Sequence, residues 1–199
     1  LATGTLEGYA RVYGLAWSFV AHTDSRIDLA TLRRFILAYQ RVESLTIGEL
    51  WALAISLRVV LVENLRRLAE RITARGVARE RADAIADALL GMEGAAKPEP
   101  AAMLEVLEQA PFSQAFAVAL AQRLREQDPF VMPALEWLDR RIAREGMTAE
   151  DLVHVEHQEQ IANHATVRNV ITSMRLLSSA DWADFFESVS RVHEALCDG

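Results

Sequence analysis

The chain has 199 residues, 51% of them hydrophobic and 25% charged, a balance that supports a packed core and excludes a disordered chain. With 21 basic and 28 acidic side chains the formal charge is −7. That argues against nucleic acid as the main partner, because neutralising phosphates takes a surplus of Lys and Arg.

In chain order, Tyr9, Val12, Tyr13, Ala16, Phe19 and Val20 recur at helical spacing and end at the polar segment His22 to Arg26. Asp28 caps the next helix, whose apolar face is Leu32, Phe35, Ile36 and Tyr39. Thr46 and Glu49 form a T-x-x-E capping box, and the helix behind it runs from Ile47 to about Arg75, where Gly76 is read as the stop. A shorter helix follows over 77–90. Residues 91–100 (GMEGAAKPEP) hold two Gly and two Pro and read as a linker, dividing the chain into possible subdomains 1–90 and 101–199 within one helical domain.

Beyond the linker the signals give a helix over 101–109, one capped by Ser113, and one starting at Asp128-Pro129 and ended by Gly146. A long helix capped by Thr148 with Asp151 reaches Leu177, and a last one is capped by Ser179. No stretch shows convincing strand alternation. The expected fold is all-α, with about eight helices in a bundle or short helical array.

The most apolar run, Leu50 to Val62, is too short to span a bilayer, is interrupted by Arg58, and reads as a buried core helix. The Arg-rich stretch 66–81 is interleaved with Glu70 and Glu80 and reads as a solvated helix face. The single cysteine, Cys197, makes no internal disulfide, which fits a reducing compartment. The chain starts at Leu1 rather than Met and shows no signal peptide, so it reads as a piece of something longer.

Candidate chemistry is sparse. His154, His157 and His164 share one helix face and are the only weak candidates for a metal site, although their spacing is not H-x-x-x-H. The segment His22 to Arg26 contains the residue types of a Ser/His/Asp triad, yet neighbours in one turn do not converge on one reacting atom. No phosphate-binding glycine loop, H-E-x-x-H or C-x-x-C is present, so no catalytic residue and no cofactor is assigned. Trp51 and Trp182 could stack on pyranose rings, and Arg168, Asn169 and Arg175 supply polar groups for a sugar or anion groove. Four tryptophans on helical apolar faces are more often core.

Four stretches are distinctive together: GYARVYGLAWSFVAHTDSRID, LTIGELWALAISLRVVLVENLRRLAERI, FAVALAQRLREQDP and TVRNVITSMRLLSSADWADFFESVS. In this order they resemble the N-terminal helical region of cyclic β-1,2-glucan synthases, large bacterial inner-membrane proteins. The resemblance implies a parent chain in which a membrane-embedded glycosyltransferase uses UDP-glucose and glycoside-hydrolase-like modules cyclise and trim the glucan. The family's catalytic motifs do not fall on this chain. A protein-linked glucan in the family would make a tyrosine a chemically reasonable primer, but Tyr9, Tyr13 and Tyr39 all lie on expected apolar faces and read as core.

The expectation is therefore a non-catalytic accessory or scaffold region of such a synthase, on the cytoplasmic side of the inner membrane, not itself membrane-spanning, with the rest of its own chain as partner. The alternative is a module that binds β-glucan or UDP-glucose. A binding module would gather Trp with Arg and Asn in one cleft, whereas a scaffold would expose an apolar patch.

Overall fold

Eight helices account for the architecture, and no strand occurs among the described residues, which in this computed structural model are 7–91, 99–125 and 131–190. They are α1 (Arg11–His22), α2 (Leu29–Tyr39), α3 (Ile47–Leu90), α4 (Pro100–Gln109), α5 (Gln114–Arg125), α6 (Met132–Arg144), α7 (Ala149–Ser179) and α8 (Trp182–Val189). The fold is all-α, as the periodicity indicates.

Most of the expected starts are made by the expected caps. The Asp28 carboxylate accepts from the Thr31 N–H at 2.8 Å. At the head of α3, Glu49 accepts from the Thr46 N–H and Thr46 Oγ1 accepts from the Glu49 N–H, a reciprocal box. Thr148 and Asp151 repeat it ahead of α7, and Ser113 Oγ accepts from the Phe116 N–H. One cap differs. Ser179 lies inside α7, its hydroxyl bonded to the Leu176 carbonyl, and Asp181 caps α8 by accepting from the Asp184 N–H.

The larger difference is at Gly76. Glycine ends a helix by taking up a left-handed conformation, as Gly91 (φ 65°) and Gly146 (φ 74°) do here. Gly76 stays helical, so α3 is one helix of 44 residues rather than two. The good helix formers on either side outweigh the cost of about 1 kcal/mol for one interior glycine.

The chain forms two compact units: Leu1–Leu68 with Asn163–Gly199, and Ala69–Ala162. Most of the expected linker (residues 92–98), the expected helix start at Asp128-Pro129, and Cys197 lie outside the described residues.

In the first unit, α1, α2, the first half of α3, the end of α7 and α8 enclose a core of Val12, Phe19, Leu32, Ile36, Leu53, Leu57, Leu61, Leu177 and Phe186, among others. Gln40, 1% exposed, ties this core by donating to the Val189 carbonyl at 2.8 Å and accepting from the Leu45 N–H. In the second unit, Ala82, Ala86 and Leu89 of α3 pack with Leu107, Phe116, Leu120, Leu124, Trp137, Leu138, Ile142 and Leu152. Small residues of α3 and α5 (Ala82, Ala86, Ala117, Ala121) are buried in the same core.

Candidate functional site

Between α1 and α2 the backbone makes a turn that most residues avoid. Asp24 (φ 46°) and Ser25 (φ 63°) are both left-handed and neither is glycine, at a cost of roughly 1–2 kcal/mol per residue. Polar side chains hold the turn from α7 and α3. Asn169 Nδ2 donates to the Asp24 carbonyl at 3.0 Å, and Thr166 Oγ1 donates to the Asp24 carboxylate at 2.8 Å. Asn64 Nδ2 donates to Ser25 Oγ at 2.6 Å. Ser173, 2% exposed, donates to the Ser25 carbonyl and accepts from the Ile27 N–H. The triad-like composition of residues 22–26 is thus a clamped turn, and Asn169 is committed to it.

Trp51 and Trp182 come together elsewhere in the same unit. Phe186 lies 4.9 Å from Trp51 and 5.5 Å from Trp182, ring centre to ring centre. The Trp182 indole N–H donates to the Leu177 carbonyl at 2.9 Å, and Arg58 Nη2 donates to the same carbonyl at 2.7 Å. Leu177 is eight residues beyond Asn169 on α7, about 12 Å along the axis, so the Trp182 indole is anchored more than two turns away from Asn169. Arg168 and Arg175 are exposed on α7.

The tryptophans divide rather than fill the core together. Trp137 is 7% exposed. Trp17 is half-buried under the Arg67 guanidinium, 4.5 Å from its ring centre. Trp51 is 58% exposed, against the core reading. The reading of Leu50 to Val62 as a buried helix holds for one face only. Leu50, Leu53, Leu57, Val60 and Leu61 are buried, while Ile47, Trp51, Ile55, Val59 and Val62 form an open apolar row along the other side. The sequence carries the signal: LWALAISLRVVLV has more apolar positions than one buried helix face can use. Tyr13 and Tyr39 are half-buried, their phenols pushed up chiefly by that burial, but Tyr9 is exposed and stacks on Tyr13.

The second unit holds a polar cleft of about 610 Å³. Val118, Ala119 and Val153 form its apolar part, and Gln122, His157, Gln160, Asp83 and Arg79 supply polar groups. Its wall includes Glu156, a buried carboxylate held by Arg75 and Arg79, while Arg75 also pairs with Glu159. Of the arginines in the stretch 66–81, Arg66, Arg67, Arg75 and Arg79 are therefore engaged in ion pairs. The glutamines lie 38 residues apart in sequence, on α5 and α7, so only the tertiary fold brings them together.

His154, His157 and His164 are all exposed. Among the described residues no group of three His, Cys, Asp or Glu side chains is placed to hold a metal ion. The carboxylates moved furthest from their ordinary range go down. Glu49 falls to about 2, mainly through its hydrogen bond from Arg11, and Glu63 to about 2 through Arg66 and Arg67. A general acid requires the opposite shift. Among the described residues no helix is long and apolar enough to cross a membrane.

Comparison with known proteins gives one informative likeness. The chain is 35% identical over 190 residues to the cyclic beta-(1,2)-glucan synthase NdvB of Rhizobium meliloti (strain 1021). The alignment takes in 95% of this chain and 7% of that protein. No protein-family model matches. The resemblance read from the four sequence stretches therefore holds along nearly the whole chain, as similarity to a small part of a much longer synthase.

Proposed function

We propose that this chain is a non-catalytic helical region of a cyclic β-1,2-glucan synthase, serving as a scaffold for glucosyl transfer from UDP-glucose carried out elsewhere in the parent protein. In this reading it lies on the cytoplasmic side of the bacterial inner membrane, with the rest of its own polypeptide as partner. The observation that carries the reading is the pattern of likeness: 35% identity spread over 95% of this chain but only 7% of the relative. The local chemistry agrees. The polar residues most suggestive of a site are engaged in holding helices and turns, and the strongly shifted carboxylates are stabilised as anions.

The test is removal of this region from the full-length synthase. Membranes are supplied with labelled UDP-glucose, and cyclic glucan is measured by size and charge. Loss of product, with the truncated protein still present in the membrane, is the expected result. Undiminished synthesis would overturn the reading.

A second reading, a module that binds glucan or nucleotide sugar, has its own support in the 610 Å³ cleft, where amide, imidazole and guanidinium groups face a small apolar floor. Calorimetric titration with linear β-1,2-glucooligosaccharides and with UDP-glucose separates the two. Saturable heat that Gln160→Ala abolishes would favour binding, and no heat at millimolar ligand would sink it.

A further inference from the structure

From Ile47 to Val62, every exposed residue of α3 is apolar or glycine: Ile47, Gly48, Trp51, Ile55, Val59 and Val62. The two charged side chains of that stretch are turned inward and occupied. Glu49 is bound by Arg11 and by the capping box, and Arg58 is bonded to the Leu177 carbonyl. Ile47, Trp51, Ile55 and Val59 stand four residues apart and make one ridge, with Val62 on the next turn. The ridge extends about 22 Å at 1.5 Å per residue. Its exposed area is on the order of 500 Å², near the upper end of what a soluble monomer leaves as a single apolar patch.

We infer that this ridge is the seat of an apolar-faced α-helix supplied by another part of the same synthase polypeptide, an inference that rests on the accessory-region reading above. A row at i, i+4, i+8 and i+12 is the shape that fits the groove of a second helix. Two other occupants fit less well. A helix lying on an anionic lipid surface is flanked by exposed Lys and Arg that meet the headgroups; the exposed positions of this stretch carry none, and Arg66 and Arg67, which follow it, are paired with Glu63. A second copy would bury only about 1,000 Å² in total, at the lower limit for free association. A tethered helix needs no such affinity, because linkage raises its effective concentration to roughly the millimolar range. The relative is long enough to supply it, since this chain matches 7% of its length.

The test compares thiol accessibility at one ridge position in two proteins, each with Cys197→Ser: the 199-residue chain and the full-length synthase in its membrane. Ile55→Cys is reacted with a water-soluble maleimide, and Thr172→Cys, exposed on α7, serves as reference. At least tenfold slower reaction at position 55 in the full-length protein, with position 172 unchanged, is expected. Equal rates at position 55 in both proteins would overturn the inference. So would protection of the 199-residue chain by itself as its concentration rises, which would assign the ridge to a second copy. Protection of that chain by vesicles of phosphatidylcholine and phosphatidylglycerol would assign it to lipid and overturn the inference equally.

The pair Ile55→Glu with Val59→Glu then separates this inference from the reading beneath it. Protection at position 55 with unaltered synthesis in the double variant upholds docking and counts against the accessory role. Absence of protection with synthesis lost on deletion of the region does the reverse.

Discussion

Ser173→Ala removes one oxygen from the core of the first unit, and the structure sets the size of the effect. Ser173 Oγ donates to the Ser25 carbonyl at 2.7 Å and accepts from the Ile27 N–H at 2.8 Å. Ser25 is fully buried and Ile27 is 6% exposed, so both backbone groups lose their partner where water does not replace it. An orphaned buried polar group costs about 1–3 kcal/mol. Two of them give an upper range of roughly 2–6, which relaxation of the strained Asp24–Ser25 turn reduces by about 1–2. The expected loss is about 3 kcal/mol. With a urea slope of about 1.5 kcal/mol/M for a unit of this size, the midpoint falls by about 2 M. Urea titration followed by circular dichroism reads the shift, and amide exchange in α1, α2 and α8 assigns it to the first unit. Ser178→Ala, at an exposed hydroxyl bonded to the Met174 carbonyl, is the control and stays within about 0.3 M. A Ser173→Ala midpoint equally close to the parent would refute the argument that this hydroxyl holds the turn.

Gly76→Ala is expected to stabilise the protein by about 0.5–1 kcal/mol, because the glycine is inside a helix and an added methyl meets nothing within 4 Å. Destabilisation in the same urea titration would mean that the helix does break there. Glu49 gives a pH signature: its carboxyl, ordinarily at 4.5, lies at about 2 in the folded protein. A lowered folded value stabilises fully above pH 4.5, and that stability is lost as pH falls toward 2. Glu49→Gln should therefore be less stable than the parent at pH 7, with the gap closing over that window. A gap unchanged between pH 6 and pH 2.5 would contradict the assignment.

Local rules made much of the fold legible. Capping boxes at Thr46 and Thr148 and the cap at Asp28 depend on residues three apart, and sequence displays those directly. Gly76 misled because glycine permits a helix stop without requiring one. The apolar run Leu50 to Val62 gave the helix but not its surroundings, since periodicity says which side chains are apolar and not how many faces find a neighbour. Of the sugar-groove candidates, Trp51 and Trp182 do meet at Phe186, while Asn169 is committed to the turn at Asp24. Such assignments turn on partners more than a hundred positions away in the chain. The cleft between Gln122 and Gln160 was out of reach as well, because two positions 38 residues apart on different helices meet only through the tertiary fold.

The order of segments in the first unit also bears on how the chain is made. A ribosome delivers α1, α2 and the start of α3 early, yet Leu177, Phe185, Phe186 and Val189, which complete that core, emerge more than a hundred residues later. Residues 69–162 form a contiguous unit and can close as soon as they leave the tunnel. The nascent first unit meanwhile waits with Leu32, Ile36 and Leu57 uncovered until the end of α7 and α8 arrive to close over them.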